Sequence, residues 1–114
     1  MSAKRLSPVP SILELDVNPP ADIEAVREEL GKRWGRLDGI VHAIDYAPAD
    51  ALGGNFLNTT WESAMTAYRT SAFSLKELTV GMLALMRDNG GAVVHLDFAN
   101  TTQDWADYAS MRGR

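Results

Sequence analysis

Two histidines and three carboxylates sit where short apolar runs end. Asp16 ends the first run, His42 and Asp45 end the second, and His95 and Asp97 end the third. Histidine changes charge near neutral pH and ligates metals, and carboxylates pair with its charged form. Strand alternation sends two of His42, Asp45, His95 and Asp97 to opposite faces, which disfavours a shared metal ion. An Asp45–His95 ion pair is the simpler expectation. Taken alone, Asp16 is a strand-end carboxylate that accepts from nearby loop amides. His42 alone is a hydrogen-bonded histidine in a buried strand, and Ser71 is a helix serine bonded back to its own carbonyl. Gly53-Gly54 follows a strand but fits no phosphate-binding fingerprint.

The elements that must position these residues follow from periodicity. Residues 1–10 read as a loose lead-in with two prolines. Ile12–Val17 is strand-like and stops at Asn18-Pro19-Pro20. From Asp22, Ile23, Val26, Leu30 and Trp34 recur on one helical face. Glu28/Lys32 and Glu29/Arg33 pair on the other side, and Gly35 closes the helix. Leu37–Ile44 is a second strand, followed by a long loop from Tyr46 to Asn58. Loops of that length in compact domains are usually functional. Thr59 with Glu62 forms a capping box that opens a helix running to about Arg87, with Met65, Ala72, Leu75, Leu78, Met82 and Leu85 inward. After Asp88-Asn89-Gly90-Gly91, Ala92–Asp97 is a third strand. The alternation predicts an α/β fold: a Rossmann-like parallel sheet with flanking helices, incomplete, with three strands recognisable. Ligands of such sheets lie beyond the carboxyl ends of the strands. Residues 99–114 read as a loop and the start of a helix.

The 114 residues have room for one domain, and 46% hydrophobic content fits a globular chain. A net charge of −4, evenly spread, points to no nucleic acid and no membrane surface. No run is long enough to span a bilayer. With no cysteine there is neither disulfide nor thiolate ligand, so the cytoplasm is the default compartment.

Four stretches, Leu13-Glu14-Leu15-Asp16-Val17, Leu37–Ile44, Ala51-Leu52-Gly53-Gly54-Asn55-Phe56 and Leu96-Asp97-Phe98, occur in register in one family. The chain resembles the NADH-dependent enoyl-acyl-carrier-protein reductases of bacterial fatty-acid synthesis, the actinobacterial branch most closely, from about Ile12 to Met111. The resemblance implies that Asp16 and Val17 line the adenine pocket. It also implies that Ala43 and Ile44 lie beside the nicotinamide ribose, with Leu96 and Asp97 on the neighbouring strand end. Phe98 then covers the nicotinamide. The resemblance also makes Tyr108 the expected catalytic tyrosine, which in the family stabilises the enolate formed after hydride addition. Trp105, Tyr108 and Met111 keep the family spacing, although one residue is inserted between Phe98 and Tyr108. NADH is the implied cofactor. The implied substrate is a trans-2-enoyl thioester on acyl carrier protein or coenzyme A.

Several features depart from the pattern. No glycine-rich pyrophosphate turn is present. The ribose-binding lysine would fall one position past Arg114, and Arg112 is a poor replacement for it. Asp45 stands where the family has glycine, and His95 where it has a small residue. The sequence therefore predicts an internal fragment, inactive as it stands. In the order 3-2-1-4-5-6 the first and third strands here are not neighbours. The expected responses are re-paired strands, homo-oligomerisation through an open sheet edge, or poor folding. The alternative function is a non-catalytic remnant that associates with a full-length reductase, through a helix the family uses in subunit packing. A ketoacyl reductase is disfavoured by His42-Ala43-Ile44 and Met111.

Overall fold

A computed structural model describes residues 5–54 and 56–97. Phe98, Trp105, Tyr108, Met111 and Arg112, and the expected loop and helix start of 99–114, lie outside the described residues.

Helix α1 spans Pro20–Trp34, two residues earlier than the periodicity suggested. Proline suits a first helical turn, where its missing N–H has no partner to lose. Gly35 ends the helix at φ 75°, its N–H bonded to the Gly31 carbonyl, as a left-handed cap should. Ile23 is buried, and Val26 and Leu30 pack beside it. Trp34, expected inward, is largely exposed on the last turn. Glu29 and Arg33 form the expected ion pair at 2.6 Å.

Two strands, not three, make the sheet among the described residues. β1 (Gly39–His42) and β2 (Ala92–His95) run parallel in the register Gly39↔Ala92 to His42↔His95. Ile12–Val17 joins no ladder. A doubly wound sheet places other strands between a strand of that position and β1, so it has no neighbour here. Re-pairing, one of the expected responses, is therefore not what these residues do. The segment is tied down by its end instead: Val17 is buried with Ile23, Leu37, Leu78, Met82 and Met86, while Ile12 stays exposed.

Between the strands, the loop folds into two single turns, Ala49–Ala51 and Phe56–Asn58. Helix α2 (Trp61–Tyr68) is capped by Thr60, whose hydroxyl accepts from the Ser63 amide, one residue later than the predicted box. It passes through a π turn, Arg69–Phe73, into α3 (Ser74–Met86) without a break. Met65, expected inward, is exposed. The buried stripe is Ala67, Ser71, Ser74, Leu78, Met82 and Met86. It covers five turns with one residue more than 3.6 per turn allows, and the wider π turn absorbs the excess. α1 and α3 pack side by side under one sheet face. The other face leaves Val41 and Val94 exposed. No helix of the described residues is long and apolar enough to cross a membrane.

Candidate functional site

The parallel register brings the carboxyl ends of β1 and β2 to the same edge, and the Leu96 N–H donates to the His42 carbonyl at 3.0 Å. Ala43 and Leu96 leave the sheet side by side from this rung, both exposed, and Ile44 turns partly into the core. Asp45 and Asp97 follow, also exposed.

One helical turn gathers three chain ends to this edge. Arg69 donates to the Asn18 carbonyl at 3.0 Å. The Asn18 amide donates to the Thr70 hydroxyl at 3.2 Å, which fixes the end of the Ile12–Val17 segment. Ser71, fully buried, accepts from the Tyr46 N–H and donates to the Tyr46 carbonyl, both at 2.9 Å, and so clamps the chain leaving β1. Ser74, 1% exposed, donates to the Thr70 carbonyl at 2.6 Å and lies 2.7 Å from His42 Nε2. His42 Nδ1 then meets His95 Nδ1 at 2.9 Å, which reaches β2. The π turn and the first residue of α3 thus hold Asn18, Tyr46 and His42, and His42 in turn meets His95. π turns inside α-helices are often found at functional sites.

The predicted residues divide accordingly. Asp16 accepts from the Asn18 N–H through one carboxylate oxygen at 2.9 Å, the turn bond expected of it without any ligand. The Val17 side chain belongs to the core. Ala43, Ile44, Leu96 and Asp97 share the strand-end edge. Asp97 places a carboxylate oxygen 3.8 Å from His95 Nε2. Ser71 does not bond back to its own helix; Ser74 does, at the Thr70 carbonyl. Among the described residues no three His, Cys, Asp or Glu converge as metal ligands. Sequence reasoning missed Ser74, Asn18 and Thr70. The one available signal was the Ser71/Ser74 spacing, which puts two small hydroxyls on the helix face that meets the strand.

His42 is 1% exposed. Its pKa lies below the ordinary histidine value, first because burial penalises the charged ring and second because His95 stands beside it. A hollow of about 400 Å³ lies on the outer side of this region, between Val17, Asn18, Tyr68, Arg69 and Phe73. Ala43, Leu96 and Asp97 are not among its walls.

A parallel strand pair with helices packed on one face defines part of a Rossmann-like sheet. The sequence profile of the enoyl-(acyl carrier protein) reductases matches residues 2–113, and the chain belongs to that family. It is 36% identical over 101 residues to the NADH-dependent enoyl-acyl-carrier-protein reductase FabI of Neisseria meningitidis serogroup B, covering 88% of this chain and 39% of that protein. It superposes on the crystal structure of the NADH-dependent reductase of Aquifex aeolicus with a TM-score of 0.79, at 35% identity over 85% of this chain and 42% of that one. The reductase of Anaplasma phagocytophilum, solved in complex with NAD, shares the fold with a TM-score of 0.83 at 24% identity, over 93% of this chain and 40% of that one. The chain thus spans about two fifths of the length of these relatives.

Proposed function

We propose that this chain carries the adenine and nicotinamide walls of an NADH-dependent reductase acting on trans-2-enoyl thioesters. The observation that supports it most is the gathering of three chain ends by the turn from Arg69 to Ser74. That turn fixes the backbone beside Asp16, Ala43, Ile44, Leu96 and Asp97, the residues the family resemblance assigns to the cofactor.

The residues suit a dinucleotide in part. Asp16 has one carboxylate oxygen bonded to Asn18, and the other suits the adenine amino group. The Val17 backbone suits a ring nitrogen. Exposed Ala43 and Leu96 offer an apolar edge with free approach to the backbone. Asp45 suits the cofactor poorly, since a carboxylate there adds charge beside an anionic ligand. NADH, when bound, supplies the hydride. Tyr108 donates a hydrogen bond to the thioester carbonyl and stabilises the enolate oxygen, and Phe98 covers the nicotinamide.

The substrate is an enoyl thioester carried on acyl carrier protein or coenzyme A. Self-association through the long helix is supported by its exposed Trp61, Met65, Tyr68, Phe73, Val80 and Leu83. The absence of cysteine fits a reducing cytoplasm. Titrating the chain with NADH, followed by fluorescence and calorimetry, tests the reading. Saturable binding at micromolar levels supports it, and heats indistinguishable from dilution overturn it.

A further inference from the structure

We propose that His42 and His95 form a hydrogen-bonded pair that shares one proton in a fixed direction and locks the last rung of the β1/β2 ladder. They are positioning residues for the strand ends. The bearing of the pair on the cofactor rests on the function proposed above; the pair itself does not.

Its direction follows from counting hydrogens. The Thr70 carbonyl can only accept, so the Ser74 hydroxyl hydrogen lies on that 2.6 Å contact. Ser74 Oγ then accepts at its other side, and His42 Nε2, 2.7 Å away, must carry the hydrogen. A neutral ring protonated at Nε2 leaves Nδ1 with a lone pair. The 2.9 Å contact between the two Nδ1 atoms therefore has His95 as donor and His42 as acceptor. His95 Nε2 faces the Asp97 carboxylate at 3.8 Å. The path runs one way, from His95 through His42 and Ser74 to the Thr70 carbonyl.

The two rings are consequently unequal. His95, whose side chain is 26% exposed, gains a proton at Nε2 without breaking any bond. His42 gains one only at Nδ1, where the His95 N–H already points. A doubly charged pair loses the link between the strands at the rung where Leu96 N–H meets the His42 carbonyl. The groups facing His42 are His95 from β2, with Asp97 behind it, and Ser74 from α3, held by Thr70 of the π turn. Asp45 lies three residues past His42, beyond the end of β1. The separation of the Nδ1 atoms also speaks against a shared metal. Two nitrogens at about 2.0–2.1 Å from a tetrahedral zinc stand roughly 3.3 Å apart, more than the 2.9 Å here.

These are the two histidines of the sequence, so a ¹⁵N-histidine-labelled 114-residue chain gives two ring systems, assigned with H95Q. Long-range proton–nitrogen spectra at pH 8 should show His42 neutral and protonated at Nε2, with His95 carrying its hydrogen at Nδ1. A His42 ring protonated at Nδ1 overturns the pair. Stoichiometric Zn²⁺ that shifts both rings also overturns it, in favour of a metal site. For the positioning role, amide exchange protection at Leu96 should fall about tenfold in H95Q, the equivalent of one hydrogen bond, and unchanged protection overturns that role. A weaker NADH affinity in H95Q ties the pair to the cofactor. An affinity equal to the parent's severs that tie, and no NADH binding by the parent overturns the cofactor reading while the ring spectra still decide the pair.

Discussion

The helical layer holds the rest of the chain in two different ways. Between α1 and α3 the contact is apolar: Ile23 from one side meets Leu78 and Met82 from the other, with Gly81 allowing close approach. Ten residues earlier on the same long helix, Arg69 to Ser74 hold three chain ends almost entirely by hydrogen bonds. Apolar packing tolerates small shifts, because dispersion and burial depend weakly on direction. A serine clamped between a strand-end N–H and carbonyl does not, because hydrogen bonds weaken steeply when misaligned. The first contact supplies stability, and the second supplies positional precision at the edge where a ligand would lie.

Emptying the apolar contact should have the largest effect. Met82 is 4% exposed, and Met82→Ala should cost about 2–5 kcal/mol. Urea melts of parent and variant measure it, and a loss below about 1 kcal/mol would mean that α3 is not packed as described. Breaking the polar contact should cost less while disturbing the edge more. Ser74→Ala leaves the buried His42 Nε2–H without its acceptor, at about 1–3 kcal/mol. Its signature is local: amide exchange should quicken at Leu96, on the rung beside His42, whereas Met82→Ala should lower protection throughout. Equal patterns in the two variants would remove the distinction between the contacts.

Overfilling the apolar contact sharpens it from the other side. A methyl group at Gly81 would collide with Ile23 Cγ2, a short branched side chain with little freedom to turn. Overpacking costs about 1–3 kcal/mol, and alanine returns about 1 kcal/mol of helix propensity over glycine. Gly81→Ala should therefore lose up to about 2 kcal/mol. In an Ile23→Ala background the same change should become neutral or stabilising, and additivity of the two would show that they do not touch.

The two contacts also differ in how far the sequence reveals them. The α1 stripe of Ile23, Val26 and Leu30, the close at Gly35 and the parallel pairing of the Ile40 and Val93 runs follow from periodicity and a cap residue. Periodicity fails where its assumption fails. The π turn offsets α2 from α3 by one residue, so a stripe drawn at constant period back from Leu78 puts Met65 on the wrong face, and Ser71 reaches the Tyr46 backbone instead of its own helix. Strand patterning likewise marks Ile12–Val17 as apolar and extended, but not whether a neighbour exists to pair with it. Asp16 and the strand-end residues came from family likeness. Nothing local distinguishes them from ordinary turn residues, and Asp16 indeed makes an ordinary turn bond. His42 and His95 stood out as residue types, yet their partnership depends on a register between strands separated by a whole helix.

The smallest effect concerns acid. Burial and the neighbouring His95 hold the His42 pKa below its ordinary 6.5. Above that value both the folded and the unfolded chain carry His42 neutral, and it contributes no pH dependence. As the pH falls below 6.5, the unfolded chain takes up a proton that the folded one refuses. Stability therefore declines until the folded-state pKa is reached, by at most about 1.4 kcal/mol per pH unit for one proton. Urea melts at half-unit steps below pH 6.5 should show this slope in the parent. In H95Q the second cause of the depression is gone while burial remains, so the decline should persist over a narrower range. A slope that H95Q leaves unaltered would assign the depression to burial alone. A slope that vanishes in H95Q would make His95 the cause, and the precision of the polar contact would then rest on a single pair of rings.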